Sequence, residues 1–209
     1  MRMNLKGKKE KIKIKITKKN FFLFLLIFIA ISIILGIIFY IYLNSKDKAL
    51  IKENIKDYFI IKDSYNYLKI LKENLLENTK SIFIIWILGI SIIGIILILF
   101  ILFTEFFSIG FTITSIIDTY KSKSIFAIIS YLFPEKIVFA LLILILSFLS
   151  LNFSYKVIKL ITSKEKNIED EFKKYIKILI VFILLGIILS IIKTFITPYM
   201  IKFFTFFQK

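Results

Sequence analysis

Apolar side chains are concentrated in four long runs, which are separated by segments rich in lysine. The runs cover residues 21–43, 81–103, 136–153 and 175–197. An α-helix needs about 20 mostly apolar residues to cross the hydrocarbon core of a bilayer. The runs lack the alternating polarity of barrel strands, and a helix satisfies its own backbone amides in lipid. We therefore predict an all-α fold, that of a polytopic helical membrane protein.

The stretch between the second and third runs has two interpretations. Residues 106–132 contain two shorter apolar segments, which flank a polar segment and end just before Pro134. In the first interpretation, 105–119 is a short third span and the chain from 124 onward is a fourth span broken by proline, which gives five transmembrane helices. In the second, the two segments form a re-entrant hairpin, which gives four.

Lysine placement favours five crossings. Residues 1–20 hold Arg2 and eight lysines against one acid, Glu10, so the positive-inside rule predicts a cytoplasmic N-terminus. The segment 44–80 is then outside. Five crossings place 156–174, which holds six lysines, inside the cell and the C-terminus outside, whereas four crossings place that lysine-rich loop outside.

The predicted organisation follows from these spans. The first apolar run is longer than the about 7–15 residues of a signal peptide, and no A-x-A-like site follows it, so we expect it to remain as an anchor. The predicted parts are a basic cytoplasmic tail (1–20), transmembrane helix 1 (21–43), an extracytoplasmic amphipathic helical segment (44–80), a membrane core with short or broken helices (81–160), a cytoplasmic polar loop (161–174), and the last transmembrane helix with a C-terminal tail (175–209).

The outer segment predicts two helices. Leucines at helical spacing, with lysines and glutamates between them, indicate an amphipathic helix from about Ser64, its expected N-cap, into the second span. An earlier apolar set indicates a short helix from about Lys48, and the two helices are expected to form a hairpin on the outer face. This hairpin either packs against the spans or docks another protein. Its possible partner-contact residues are Tyr58, Phe59, Leu68, Leu71 and Leu75.

The composition excludes several kinds of chemistry. There is no cysteine and no histidine, so thiol chemistry, imidazole catalysis and a Ser/His/Asp arrangement cannot occur. Glu105, Asp118, Glu135 and Lys136 are expected at segment ends as interfacial anchors, and none forms a paired acid/base signature. We predict no enzymatic activity, no cofactor and no small-molecule substrate.

The net charge of +16 raises the question of a nucleic-acid partner. The basic residues are scattered among loops and form no single patch interleaved with aromatic residues. The basic N-terminal run instead predicts a topology signal that contacts anionic lipid head groups. We therefore expect membrane lipid, and no nucleic acid, as a partner.

A series of motif residues gives the apolar region its most specific pattern. The second run carries W-x-x-G-x-x-x-x-G, followed by the segment "FFSIGFT" and later by a proline-containing segment. In order and spacing these features resemble the stage II sporulation protein M family. The chain departs from the family pattern at Phe106, Glu135 and Lys136. The matching positions are Trp86, Gly89, Gly94, Phe107, Gly110, Phe111, Thr112 and Pro134.

The sequence predicts structural roles for two of these positions. Gly110 is expected to permit close packing or to end the turn that the family forms there. Pro134 removes a backbone donor and is expected to break the helix at Phe133.

The resemblance implies a non-enzymatic membrane component of the sporulation machinery that remodels septal peptidoglycan during engulfment. Its implied partners are the sporulation proteins D and P, the cell-wall hydrolases of that complex, and its implied location is the forespore or septal membrane. The segment 44–80 is then the expected partner-contact region. The same membrane fold in a non-sporulating cell would instead serve another envelope task.

A permease or channel-like subunit of an export system is the alternative, with the region 106–134 as a broken-helix pathway. Three absences argue against this alternative. The sequence shows no ATP-binding loop, no inverted repeat, and no acidic or arginine residue in the middle of a predicted span.

Overall fold

The computed structural model describes residues 18–60, 66–163 and 168–208, and these residues are almost entirely helical. A 3₁₀ turn, Lys121–Lys123, precedes α5, and a π-helical turn, Phe133–Ile137, joins α5 to α6. No strand occurs in the described ranges. The α-helices are α1 (Lys18–Tyr42), α2 (Ser45–Tyr58), α3 (Tyr67–Leu88), α4 (Gly94–Tyr120), α5 (Ser124–Leu132), α6 (Val138–Ser163) and α7 (Ile168–Gln208).

Ring contacts show that α1 and α4 run in the same direction. Phe28 lies against Phe103 in the first half of both helices, and Tyr40 lies against Phe111 farther along. We call the end of the bundle at which α1 begins the basal end, and the end at which it terminates, at Tyr42, the distal end.

Helices α3 and α7 are antiparallel. Asn74, early in α3, contacts Thr194, late in α7, whereas Trp86, late in α3, contacts Tyr175, early in α7. Helix α3 therefore runs from the distal side to the basal end, and α4 runs back to the distal end. Helices α5 and α6 together return to the basal end, and α7 runs from there to the distal end.

Four of these passages have the length and composition of a membrane span, namely those in Asn20–Tyr42, Gly94–Leu132, Val138–Lys159 and Glu169–Phe207. The remaining passage, α3, is apolar only in its second half. The chain is a polytopic helical membrane protein, which confirms the predicted fold class.

The predicted second span, 81–103, is wrong as a single helix. Helix α3 ends at Leu88, and α4 begins at Gly94 after a tight connection at the basal end. The predicted third span, 105–119, lies within α4. Hydropathy did not reveal this break because both helix ends and the connection between them are apolar.

Two further expectations about this region are also wrong. The segment "FFSIGFT" is not a turn but part of the continuous helix α4. The re-entrant hairpin does not form, because α4 runs beside α1 to the distal end and α5 and α6 then return.

The two helices predicted for the segment 44–80 are present, but they do not form the predicted hairpin. Helix α2 starts after the N-cap Asn44, whose Oδ1 accepts a hydrogen bond from the Asp47 amide (2.8 Å). Helix α3 starts after Asn66, which caps in the same way, whereas Ser64 lies outside the described residues. Helix α2 packs mainly on α4, and α3 packs on α7.

The buried apolar residues form a large central cluster and a smaller distal one. The central cluster joins α1, α3, α4, α6 and α7 through residues such as Leu25, Ile82, Ile98 and Leu146. The distal cluster joins the end of α2 to α4, α5 and α7 and consists of Phe59, Ile116, Ala127, Ile201 and Phe204.

Candidate functional site

The tryptophan of the motif joins α3 to α7 at the basal end. The Trp86 indole Nε1 donates a hydrogen bond to the Tyr175 carbonyl oxygen (3.0 Å), and the Tyr175 hydroxyl donates to the Trp86 carbonyl oxygen (2.7 Å). The two rings stack with centroids 5.3 Å apart, and Phe153 stacks on the other face of Tyr175 at 3.9 Å. Because both indole and phenol are hydrogen-bonded, these large aromatic groups are buried without an unpaired polar atom.

The two motif glycines make the connection after α3 possible. A Cβ at Gly89 would collide with the Tyr175 hydroxyl and stand 2.8 Å from Ser150 Cβ, and a Cβ at Gly94 would collide with the Leu88 carbonyl group. The Ser154 hydroxyl donates to the Gly89 carbonyl oxygen (2.6 Å). The W-x-x-G-x-x-x-x-G pattern thus corresponds to a tightly packed helix end.

Gly110 lies where α4 crosses α1. A Cβ there would collide with the Ile33 carbonyl oxygen, and a Cβ at Gly36 would collide with that of Phe107. The expectation of close packing is therefore met, although no turn is present. Phe107 and Phe111 both pack against Phe39 beside this crossing.

The α-helix ends where the proline was expected to break it, since α5 stops at Leu132 with Phe133 as its C-cap. The chain does not leave the helical path, however, because a π-helical turn that contains Pro134 leads directly into α6. A π turn inserts an extra residue and is a common way to redirect side chains at functional sites. Here it carries Lys136, whose Nζ donates to Ser108 Oγ (2.9 Å) and lies 3.4 Å from Thr112 Oγ1.

A polar cavity of about 340 Å³ lies beside Lys136, between α3, α4, the π turn and α7. Glu77, Glu105 and Lys193 complete its charged lining. The expectation that Glu105 sits at a segment end is wrong, since it lies in the interior of α4. The same position removes one argument against a permease, namely the lack of an acidic residue within a span.

Asp118 lies at the end of a helical segment, as expected. It lies in the last turn of α4, where it accepts a hydrogen bond from the Tyr40 hydroxyl (2.9 Å) and pairs with Lys52 of α2 (2.8 Å). This contact ties α2 to the distal end of the α1–α4 pair. The side chain of Glu135 lies outside the described part of the chain.

The possible partner-contact residues differ in accessibility. Phe59 is only 4% exposed, because it fills the distal cluster, and the half-buried Tyr58 packs against Tyr131. Leu71 and Leu75 are also half-buried, whereas Leu68 is 81% exposed. Of the five residues, Leu68 is thus the one with a largely accessible side chain.

Sequence reasoning missed the polar contacts between α3 and α7. Asn78 Nδ2 donates to Ser190 Oγ (2.8 Å), and Asn74 Nδ2 donates to Thr194 Oγ1 (3.0 Å). The spacing of Gly186, Ser190 and Thr194 at four-residue intervals in an apolar helix is the signal that could have revealed them, because small and polar residues at this spacing mark helix contacts in membranes.

The comparisons with known proteins agree with the motif. The family model of stage II sporulation protein M matches residues 24–198, a range that includes both the basal aromatic contacts and the polar cavity. No curated protein and no solved structure matches the chain. The chain belongs to the stage II sporulation protein M family, and it is a sporulation-related membrane protein.

Proposed function

We propose that this protein is a non-enzymatic membrane scaffold of the complex that remodels septal peptidoglycan during engulfment. It recruits cell-wall hydrolases, the sporulation proteins D and P, to the forespore or septal membrane. Family membership over residues 24–198 is the observation that carries this proposal. The N-terminus is cytoplasmic in this proposal, so the distal end faces the wall.

The exposed side of α3 supports a docking role. Its first half presents Lys69, Lys72 and Glu73 together with Leu68 and Leu76, all of them exposed. Beyond Lys80 the same side presents Phe83, Ile84 and Ile87, as expected for a surface that enters lipid. We call the exposed residues 68, 69, 72, 73 and 76 the α3 face.

The test uses photo-crosslinking in sporulating cells. A photoreactive residue is placed at Leu68 or Leu76 of the α3 face, and the matched control is placed at Leu184, an exposed leucine of the apolar part of α7. We expect hydrolases to be recovered from positions 68 and 76 but not from 184. Equal recovery from all three positions, or none from the α3 face, would contradict the docking role.

A permease or channel-like subunit is the second candidate, and the charged cavity at Glu105 is the observation that favours it. Recovery of an ATPase or transport subunits without any hydrolase in the same experiment would favour it over the scaffold.

A further inference from the structure

The charged cavity between α3, α4, the π turn and α7 is not used by the proposed scaffold function. We propose that it binds the phosphoethanolamine head group of a membrane phospholipid. The argument has three parts, namely the level of the cavity along the helices, the two ammonium groups in its walls, and the environment of Glu105.

The level of the cavity is indicated by where charges begin on two of the helices that border it, α3 and α7. Helix α7 carries no charged residue between Lys177 and Lys193. On α3 the last charge is Lys80, and exposed apolar side chains follow it toward the basal end. Charged groups are costly in hydrocarbon, so the uncharged stretches of α3 and α7 on the basal side of the cavity suit lipid tails. The cavity lies directly on their distal side, next to the charges of Lys80 and Lys193.

Two ammonium groups contribute to the walls from different elements. Lys136 is oriented by the Ser108 and Thr112 hydroxyls. The Nζ of Lys193, whose side chain is 19% exposed, lies 3.8 Å from a carboxylate oxygen of Glu77 on α3. Lysines on two walls of one cavity suit a phosphodiester, which lysine binds as a compact charge.

Glu105 supplies the complementary charge for an amine. It is the one charged residue of α4 before Asp118, and its side chain is half-buried against the cavity. Within the described residues its carboxylate accepts no hydrogen bond and has no ion pair within 4.0 Å, so Lys136 acts on it only as a nearby charge. A half-buried carboxylate needs donors, and a primary ammonium offers three N–H groups.

Together these features match a small zwitterion that carries one phosphodiester and one primary amine. A volume of about 340 Å³ lies at the lower end of the range of small-ligand pockets, which is about 300–1,000 Å³. Phosphatidylethanolamine fits the position beside lipid, and soluble glycerophosphoethanolamine has the same head-group chemistry. Phosphatidylglycerol retains the phosphodiester but has no amine.

The experiment measures lipid binding to the full chain in detergent by native mass spectrometry. Phosphatidylethanolamine and phosphatidylglycerol of identical acyl chains are titrated separately, and glycerophosphoethanolamine is added as a soluble competitor. We expect the wild type to bind phosphatidylethanolamine more tightly, with little competition by the soluble compound. Equal affinity for the two lipids would overturn the proposal. Strong competition by glycerophosphoethanolamine would show that the cavity takes a soluble ligand and not a lipid.

Two variants, each with a matched control, test which charged residue binds the amine and which binds the phosphodiester. Glu105→Gln is expected to weaken phosphatidylethanolamine binding by about tenfold and to leave phosphatidylglycerol binding unchanged, whereas Lys193→Gln is expected to weaken both. The controls are Glu53→Gln on α2 and Lys202→Gln on α7, which are exposed and outside the cavity. Fluorescence of Trp86, the only tryptophan of the chain, checks that each variant is folded. A folded Glu105→Gln variant that binds both lipids like Glu53→Gln would refute the assignment.

Discussion

Two helix pairs in this bundle are held together by different means. In the α1–α4 pair, Gly36 and Gly110 let the two backbones approach closely, and aromatic rings pack around the crossing. In the α3–α7 pair, Asn74 and Asn78 donate hydrogen bonds to Thr194 and Ser190. Helices in lipid gain little from the hydrophobic effect, so they associate through close packing or through hydrogen bonds. The middle of the α1–α4 pair relies on close packing, with the Tyr40–Asp118 hydrogen bond at its distal end, whereas the α3–α7 pair has hydrogen bonds along its length.

The difference has a consequence for where polar groups can lie. A crossing built from glycines leaves no room for side chains, and around Gly36 and Gly110 α4 faces α1 with backbone and aromatic rings. The α3–α7 pair buries amides and hydroxyls, and its polar groups continue into Glu77 and Lys193 at the cavity. The candidate ligand site is therefore found on the hydrogen-bonded side of the bundle.

The largest expected effect comes from filling the glycine crossing. In Gly36→Ala the added methyl group would overlap the Phe107 carbonyl oxygen and stand 2.9 Å from the Phe111 amide nitrogen. Backbone atoms cannot move aside as a side chain can, so we expect a loss of about 2–3 kcal/mol in the free energy of unfolding. Unfolding by SDS in mixed micelles, followed by Trp86 fluorescence, measures it.

The matched control for this substitution is Gly186→Ala in the other pair. Its methyl group would stand 2.5 Å from Ile82 Cδ1, a flexible end of a side chain that can rotate away, and at an ordinary contact distance of 4.0 Å from Asn78 Cβ. We expect a much smaller loss. If the two alanine variants lost equal stability, the proposed contrast between the pairs would be wrong.

A smaller effect is expected from the hydrogen bonds of the α3–α7 pair. A double-mutant cycle of Asn78→Ala and Ser190→Ala should give a coupling energy of about 0.5–1.5 kcal/mol, since interhelical hydrogen bonds in membranes have this size. The same SDS unfolding assay applies. A cycle of Asn78→Ala with Gly36→Ala, whose sites lie in different pairs, serves as the control and should be additive.

The smallest effect is expected at the ion pair between Lys52 of α2 and Asp118 of α4, which lies outside both the glycine crossing and the hydrogen bonds of the α3–α7 pair. The Lys52 and Asp118 side chains are 35% and 39% exposed, and such pairs contribute little because water and salt screen them. Lys52→Gln should change the unfolding free energy by less than about 0.5 kcal/mol, and by less still at high salt. A loss above that of Gly36→Ala would show that α2 docking, and not helix crossing, dominates stability.

The comparison also explains which parts of the candidate site were predictable. The motif positions Trp86, Gly89 and Gly110 were identified from their spacing, and each proves to lie at a tight contact. Glu105 was noticed as an ionisable residue, but its neighbours Glu77 and Lys193 were not. These three residues are far apart in the sequence, and no local pattern links them.

Helix α3 shows what a local pattern leaves open. Its leucines at helical spacing predicted an apolar face that either packs on the spans or docks another protein; Leu71 and Leu75 are half-buried, whereas Leu68 and Leu76 are exposed. The buried side of the helix is instead marked by Asn74 and Asn78, which find partners in Thr194 and Ser190 of α7. The choice between the two faces depended on the neighbour, α7.

The sequence by itself determined that this protein is helical and crosses a membrane several times, because long apolar runs can satisfy their backbone hydrogen bonds in lipid only as helices. It also determined the family, through the order of its motif residues. Only the tertiary structure decided that the chain reverses direction within the apolar run 81–103, after Leu88, that a π-helical turn carries it past Pro134, and that four distant charges share one cavity. Those features depend on contacts between helices far apart in the chain, which hydropathy and spacing do not record.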